Sequence, residues 1–560
     1  MVAGPAVAAM TGSRGTPDVR LSRRCGVRRR RILLGLELVV VVGLALLVSS
    51  VLARRLRVAP PVLLLGCGVL LGFAPALRDV HLPPEIVLLL FLPALLFWES
   101  LTTSLREIRS NLRVIVLLST LLVIGTAGAV AAVAHALGLP WGPAWVLGAA
   151  VAPTDATAVG VLARALPRRT VTVLRAESLV NDGTALVIYG LAVGITVGEE
   201  QLTTPHVSWL FVLAYGGGAL VGLATGWLLL QVRRWVHDPL QDNLVSLLAP
   251  FTAFLVAERI HASGVLAVVV TGLWLSQAGP REVRAETRQQ GTAFWTLSTF
   301  VLNGALFVLI GVEVQSAVRG LSSVGVARGL VAVGVVAATV IGVRFAWHFT
   351  TPYVIRLVDR RPRQRLRRVG ARARVVSGIA GFRGAVSLAA ALAVPQTLRS
   401  GAPFPDRDTI VFVTAGVIVV TLVVQGLLLP VVVRWARLPR DTGAEDELHL
   451  AERVATEEAL DALPRVAAGL GTDPDVVDRL SREYRKRLRV LRASRGESED
   501  ATALRYDQQY TALRLAVLAH KRAAVVRLRD ERHIDDSVLR QVQYRLDLEE
   551  VRLSRPEVPE

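Results

Sequence analysis

TVLRAESLVNDGTALVIYGLAVGITV, Thr172–Val197, is a mostly apolar run with two carboxylates, Glu177 and Asp182, inside it. It supplies the ~20 residues that a ~30 Å hydrocarbon core asks of a spanning helix. An acid at the bilayer centre costs about 2.5–3.5 kcal/mol to insert, so each one needs a partner or a purpose. At ~1.5 Å rise per residue, Asp182 lies roughly 15 Å into the span, near the midplane, while Glu177 lies near one end. Residues four apart stack on one helix face, so Ser178 and Asp182 look the same way. Asn181 sits at the edge of that face, and Glu177 points about 140° away from Asp182. The stretch predicts a membrane helix with a working carboxylate and a second acid that has a separate job.

Working outward, the same pattern recurs. Of 560 residues, 52% are hydrophobic, and about thirteen apolar segments follow one another. They run over 32–53, 59–75, 84–103, 112–137, 142–165, 172–197, 207–232, 241–257, 263–278, 293–316, 325–349, 374–396 and 409–433. Recurrence as far as Val433 excludes a removable signal peptide as the whole explanation. Cys25 and Cys67 allow no disulfide framework. A net charge of +19 raises nucleic-acid binding as an alternative. The arginines, however, cluster between apolar spans and in the tail, as membrane orientation requires, so no nucleic-acid partner is expected.

Positive charge follows the odd-numbered segments: Arg54, Arg55 and Arg57, then Arg106, Arg109 and Arg113, then Arg168 and Arg169. Arg233 and Arg234, then Arg281, Arg284 and Arg288, and finally the stretch 356–374 continue the series. Those loops are predicted to be cytoplasmic, which puts the C-terminal tail there too. The N-terminus disagrees, because Arg14, Arg20, Arg23, Arg24 and Arg28 to Arg31 would lie outside. Either the first segment enters differently or the true start lies downstream; residues 1–31 are expected to be a disordered basic segment. Residues 32–435 then form the membrane domain. Residues 438–560 are charged, poor in Gly and patterned at helical spacing, which predicts a helical cytoplasmic region. A plain solvated appendage is the simplest reading of it, with regulation or dimer contact as the alternative.

Three more ionisable residues fall at membrane depth: Asp155, Arg344 and Arg383. Glu177 and Arg344 lie at similar depths near the cytoplasmic ends of their spans and carry opposite charge, which predicts a structural ion pair. In Ala152-Pro153-Thr154-Asp155, the proline removes a backbone donor beside a buried acid. This is either a simple kink or a broken helix whose freed carbonyls can coordinate a cation. The twelfth segment is irregular in the same way, with Gly378, Gly381 and Gly384 around Arg383. Two broken helices seven spans apart, one acidic and one basic, match an inverted-repeat transporter. Their charges would compensate the dipole ends of facing half-helices.

Ala152-Pro153-Thr154-Asp155-Ala156, Glu177-Ser178-Leu179-Val180-Asn181-Asp182-Gly183 and Gly381-Phe382-Arg383-Gly384-Ala385-Val386-Ser387 together resemble the sodium/proton exchangers of the monovalent cation:proton antiporter-1 group. The resemblance covers essentially all the spans in order and reaches Gln425-Gly426. It implies an all-α polytopic fold of about thirteen transmembrane helices with inverted repeats and two crossed discontinuous helices, assembled as a homodimer with a core and a dimerisation domain. It implies Asp182 as the ion- and proton-binding carboxylate, with Asp155, Ser178 and the Thr154 backbone completing or lining a Na+ or K+ site. Asn181 is counted with the ion- and proton-binding residues, and it stands where electrogenic relatives carry a second acid, which implies electroneutral exchange. Glu177 and Arg344 match the family's structural ion pair. Asn303 sits where some relatives have an acid, and packing or hydrogen bonding is its plainer account. The implied activity is Na+/H+ antiport in the plasma membrane, serving pH homeostasis without a cofactor.

A K+/H+ antiporter shares every one of these motifs. A channel suits a single mid-membrane carboxylate cluster less well than a bind-and-release cycle does. An intramembrane enzyme is not expected: there is no HExxH pair or metal-spaced Cys/His cluster, and His261 and His348 are isolated. A purely sensory role would leave the buried carboxylates unexplained.

Overall fold

The structure is a computed structural model of the chain. It describes residues 37, 39–53, 55–56, 58–74, 87–156, 166–198, 209–319, 323–358, 370–438, 443–494 and 501–554. The N-terminal segment 1–31, residues 157–165 of the fifth apolar segment and most of the basic stretch 356–374 lie outside the described residues.

The apolar segments fall on helices α1 (Val39–Ala53), α2 (Pro60–Leu71), α3 (Leu92–Thr102), α4 (Leu105–Ala136), α5 (Trp141–Val151), α6 (Arg168–Val197), α7 (Trp209–Trp235), α8 (Pro239–Arg259), α9 (Gly264–Glu282), α10 (Ala285–Arg319), α11 (Ser323–Val358), α12 (Ala371–Ile379), α13 (Ala385–Leu392) and α14 (Arg407–Ala436). Among the described residues, seven of these are long and apolar enough to cross a membrane: α4, α6, α7, α8, α10, α11 and α14. Tight turns join neighbours where polar caps occur. Ser104 Oγ accepts the Glu107 N–H at the start of α4, Asp238 accepts from Gln241 ahead of Pro239, and Ser263 Oγ accepts from Leu266 at the start of α9. Such caps satisfy backbone donors that a helix start leaves open.

The helices sort into two packed groups. In one, α4, α5, α6 and α11 to α14 lie against each other; in the other, α2, α3 and α7 to α10 do so. The second group holds a close backbone approach. A Cβ built on Gly68 of α2 would overlap the Val308 carbonyl, and one on Gly311 of α10 would overlap that of Leu65. Only glycine allows α2 and α10 to meet so closely. The groups touch where α6 meets α3 and α9, and where α14 meets α10.

Residues 440–560 form a separate compact unit. Its helices α15 (Gly443–Leu470), α16 (Pro474–Ser494), α17 (Ala501–Asp530) and α18 (Asp536–Ser554) pack in sequence. Arg487–Glu452 and Arg492–Glu457 link α15 with α16, and Arg522 reaches Asp547 and Glu550 across α17 and α18. Lys486 lies over the rings of Tyr506 and Tyr510, at 4.1 and 4.8 Å from their centroids. These links are largely exposed, so they set register more than they add stability.

Candidate functional site

The site begins with the breakdown of two helices. In an unbroken α5, the Val151 carbonyl would accept the N–H of Asp155 four residues on. Pro153 has no N–H, the chain leaves the helix after Val151, and the Asp155 N–H donates instead to the Phe382 carbonyl at 2.8 Å. Phe382 lies in the gap between α12 and α13, and the two unwound strands meet there as one antiparallel bridge. Arg383 fills the vacated role at Val151: its Nε donates to that carbonyl at 3.0 Å and its Nη1 to the Gly381 carbonyl at 2.5 Å. A guanidinium on the last carbonyls of α5 also suits the negative end of the helix dipole. Each break is thus satisfied by the other, which membrane-depth backbone requires.

Two glycines make the crossing possible by their size. A Cβ built on Gly384 would overlap the Asp155 carboxylate, and one on Gly381 would overlap the Arg344 side chain. Arg344 extends from α11. Its Nη1 and Nη2 donate to Glu177 Oε1 and Oε2 of α6 at 2.5 and 3.2 Å, while its Nε donates to the Ser377 carbonyl at 3.1 Å. Glu177 and Arg344 are each only 1% exposed. This bidentate pair therefore ties α6 to α11 and caps the last turn of α12 at once.

Asn181 faces the same polar cluster. Its Nδ2 donates to Thr154 Oγ1 at 2.7 Å and to the Thr154 carbonyl at 3.3 Å, and the Thr154 hydroxyl donates onward to Glu177 at 3.3 Å. Ser178 Oγ accepts the Ala156 N–H at 3.3 Å. The unwound strand 152–156 is thereby held to α6 on both sides of Asp155.

Asp182 points away from this cluster into a cavity of about 60 Å³, enough for water. The cavity lies at the seam between the helix groups. Pro153, Thr154, Asp155, Ser178 and Asp182 line it from one group, and Glu99 of α3 and Asn303 of α10 from the other. Gly384 and Ser387 close it from α13, against apolar walls such as Leu92, Leu96 and Phe307. Asp182 is 6% exposed, so a charge placed there meets protein and a little water rather than bulk solvent. Among the described residues no three acidic, His or Cys side chains gather into a metal-chelating cluster. What the cavity offers a cation is carboxylates on facing walls with hydroxyl and backbone oxygens, a donor set for a hard ion.

The structure thus brings Asp182, Asp155, Thr154 and Ser178 to one cavity, with Asn303 on its far wall. It sets Glu177, Arg344 and Arg383 behind that cavity, and turns Asn181 to Thr154 rather than to the cavity. Sequence reasoning missed two residues. Glu99 lies near the end of the third apolar run and is not among the ionisable residues singled out there. Ser387 stood within a quoted motif without a role. It is 1% exposed, and its hydroxyl has no hydrogen-bond partner among the described residues. An acid inside an apolar run was a visible signal for Glu99; for Ser387 the sequence held none.

The chain resembles known proteins in sequence and in fold. A family model described as sodium/hydrogen exchanger, transmembrane, matches residues 42–435. An uncharacterized Na(+)/H(+) exchanger of Mycobacterium tuberculosis is 48% identical over 527 residues, covering 94% of this chain and 97% of the relative. A sodium, potassium, lithium and rubidium/H(+) antiporter of Bacillus subtilis is 30% identical over 413 residues, 70% of this chain and 61% of that one. Among solved structures, the sodium proton antiporter MjNhaP1 of Methanocaldococcus jannaschii aligns with a TM-score of 0.54 at 18% identity. That alignment covers 72% of this chain and 99% of the other, and shows a shared fold.

Proposed function

Given that the chain belongs to the sodium/hydrogen exchanger family, and is a multi-pass membrane transporter exchanging cations for protons rather than an enzyme, we propose that it exchanges Na+ for H+ one for one, with the two substrates competing for Asp182. The observation that carries this reading is the placement of Asp182: a nearly buried carboxylate in a small cavity at the seam of two helix groups, facing Glu99 and beside Asp155. Desolvation favours a protonated carboxylate and a neighbouring cation favours an ionised one, so a single acid can carry either substrate but not both. Asp155, Ser178 and Thr154 supply further oxygens, and Glu99 joins them from the opposite wall. Movement of one helix group along the other opens the seam to each side in turn, an alternating-access cycle.

The ion pair of Glu177 with Arg344 and the contacts of Arg383 are structural in this account. They hold charge in fixed contacts while the carboxylates of the cavity stay exchangeable. An amide rather than an acid at Asn181, next to Asp182 in the chain, leaves one fewer titrating group there, which supports electroneutral exchange. The basic loops after odd-numbered spans support a cytoplasmic C-terminal region in the plasma membrane. A homodimer and a role in pH homeostasis follow from family likeness. A second reading, K+/H+ exchange on the same scaffold, is favoured by the relative from Bacillus subtilis, whose name includes potassium.

Purified protein in liposomes with an enclosed pH dye decides between these. External Na+ should alkalinise the lumen faster than K+ or Li+, at a rate unchanged when the membrane potential is clamped. No response to any of the three cations overturns antiport. A faster response to K+ overturns the sodium assignment, and a potential-dependent rate overturns electroneutrality.

A further inference from the structure

A second, larger cavity of about 490 Å³ lies on the membrane-facing side of the seam, between α4 and α6 on one wall and α7 and α9 on the other. Its volume falls in the range of roughly 300–1,000 Å³ that encloses a small ligand. The lining is nearly all apolar, including Leu112, Val116, Leu179, Val212, Val269 and Leu273. Its rim is open: Leu112, Val116 and Val212 are 51%, 48% and 61% exposed. At the deep end stands Tyr215, whose hydroxyl meets Thr184 Oγ1 of α6 and whose ring stacks on Phe211 at 6.3 Å. Both facing walls carry π-helical turns at this level, Leu117–Leu122 in α4 and Leu213–Gly217 in α7. Such turns are uncommon and mark sites where a helix is reshaped for contact.

The charge at the mouth is mainly basic, since the one acid there, Glu107, is paired with Arg168. The groove takes in the first half of α4, from Ile108 to Thr120, and the exposed Arg106, Arg109 and Arg113 project from the same end of that helix. A bilayer places its headgroups at that level and its acyl chains alongside the apolar wall. We infer that the groove seats an acyl chain of an anionic phospholipid, with the headgroup at Arg109 and the chain running between α4 and α7 toward Tyr215. The wall contributed by α6 is formed by Ala176, Leu179 and Val180. These alternate with Glu177, Ser178, Asn181 and Asp182, so the lipid lies against the outer face of the helix that carries the ion site. Lipid binding here stands independently of which cation is exchanged.

Photoreactive phosphatidylglycerol and phosphatidylcholine, each with a diazirine on the acyl chain, test this in nanodiscs holding the full-length protein. Peptide mapping should find phosphatidylglycerol adducts on 108–120 and 209–215 at least fivefold above those on the exposed face of α8, around Leu244, Leu248 and Leu255. Unlabelled phosphatidylglycerol should compete them away, and phosphatidylcholine should label the groove several-fold less. Val212→Trp should fill the Tyr215 end of the groove and cut the groove signal about fivefold. Arg109→Gln should bring the two lipids level. Leu112→Trp serves in place of Val212→Trp if that variant elutes as aggregate, and the competition on unaltered protein needs no variant. Even labelling of α4, α7 and α8 overturns the proposal, as does equal groove labelling by phosphatidylcholine. Cross-links between two copies at Val116 or Val212 would put a second chain in the groove and overturn it as well.

Discussion

Replacing Glu177 by Gln should destabilise the protein far more than it slows exchange. The substitution leaves the Arg344 guanidinium 1% exposed and replaces its charged, two-oxygen partner by a neutral amide with a single acceptor, beside the 3.1 Å bond to the Ser377 carbonyl. Removing one member of a buried ion pair costs about 3–5 kcal/mol, because the remaining charge is uncompensated. Arg344→Gln should cost a similar amount, leaving Glu177 with the Thr154 hydroxyl alone. In the double variant two neutral amides face each other and no charge is stranded. Its cost should fall short of the sum by roughly 2–3 kcal/mol, the coupling expected of contacting partners. Reversible unfolding in mixed micelles, followed by tryptophan fluorescence, gives the three energies. Exchange per folded molecule should stay within a few-fold of the unaltered protein, since Glu177 does not line the Asp182 cavity. Single costs below ~0.5 kcal/mol, or strict additivity, would refute the pairing as a stabilising contact. Complete loss of exchange in a well-folded Glu177→Gln would instead place Glu177 in the ion path.

Further substitutions separate the crossing from the cavity. Gly384→Ala puts a methyl where the Asp155 carboxylate stands, and should lower exchange at least tenfold in liposomes while the protein still inserts and elutes as one species. Asn181→Ala removes both bonds to Thr154 and should cost about 1–3 kcal/mol in the same unfolding assay. Ser387→Ala should not lower stability, because its buried hydroxyl has no protein partner among the described residues and its removal breaks no bond to them. Its effect should appear as a several-fold higher KM for the cation, read from dye quench against cation concentration.

Several parts of this arrangement were legible in the chain itself. Helical angle separated Glu177 from Asp182, and the structure has them facing different neighbours. Depth and opposite charge pointed Glu177 to Arg344, and their side chains meet. Proline and glycine marked both helix breaks. What periodicity could not supply was the pairing between breaks: the bond from Asp155 to Phe382 joins residues more than two hundred positions apart, and backbone bonds leave no trace in side-chain identity. The way the cavity's walls come together was not legible either. Glu99 and Asn303 reach it from α3 and α10 only because the helix groups meet there, so their roles are tertiary. The Tyr215 groove gave no signal either, since its apolar lining looks like any lipid-facing surface until two helices stand apart.

In the proposed cycle Asp182 carries both substrates. Asp182→Asn, purified and reconstituted beside the unaltered protein, tests it through Na+-driven pH change in the liposome lumen. With elution and unfolding behaviour unchanged, the account predicts no Na+-dependent alkalinisation at any Na+ concentration. Retained Na+-driven proton movement in that variant would contradict it.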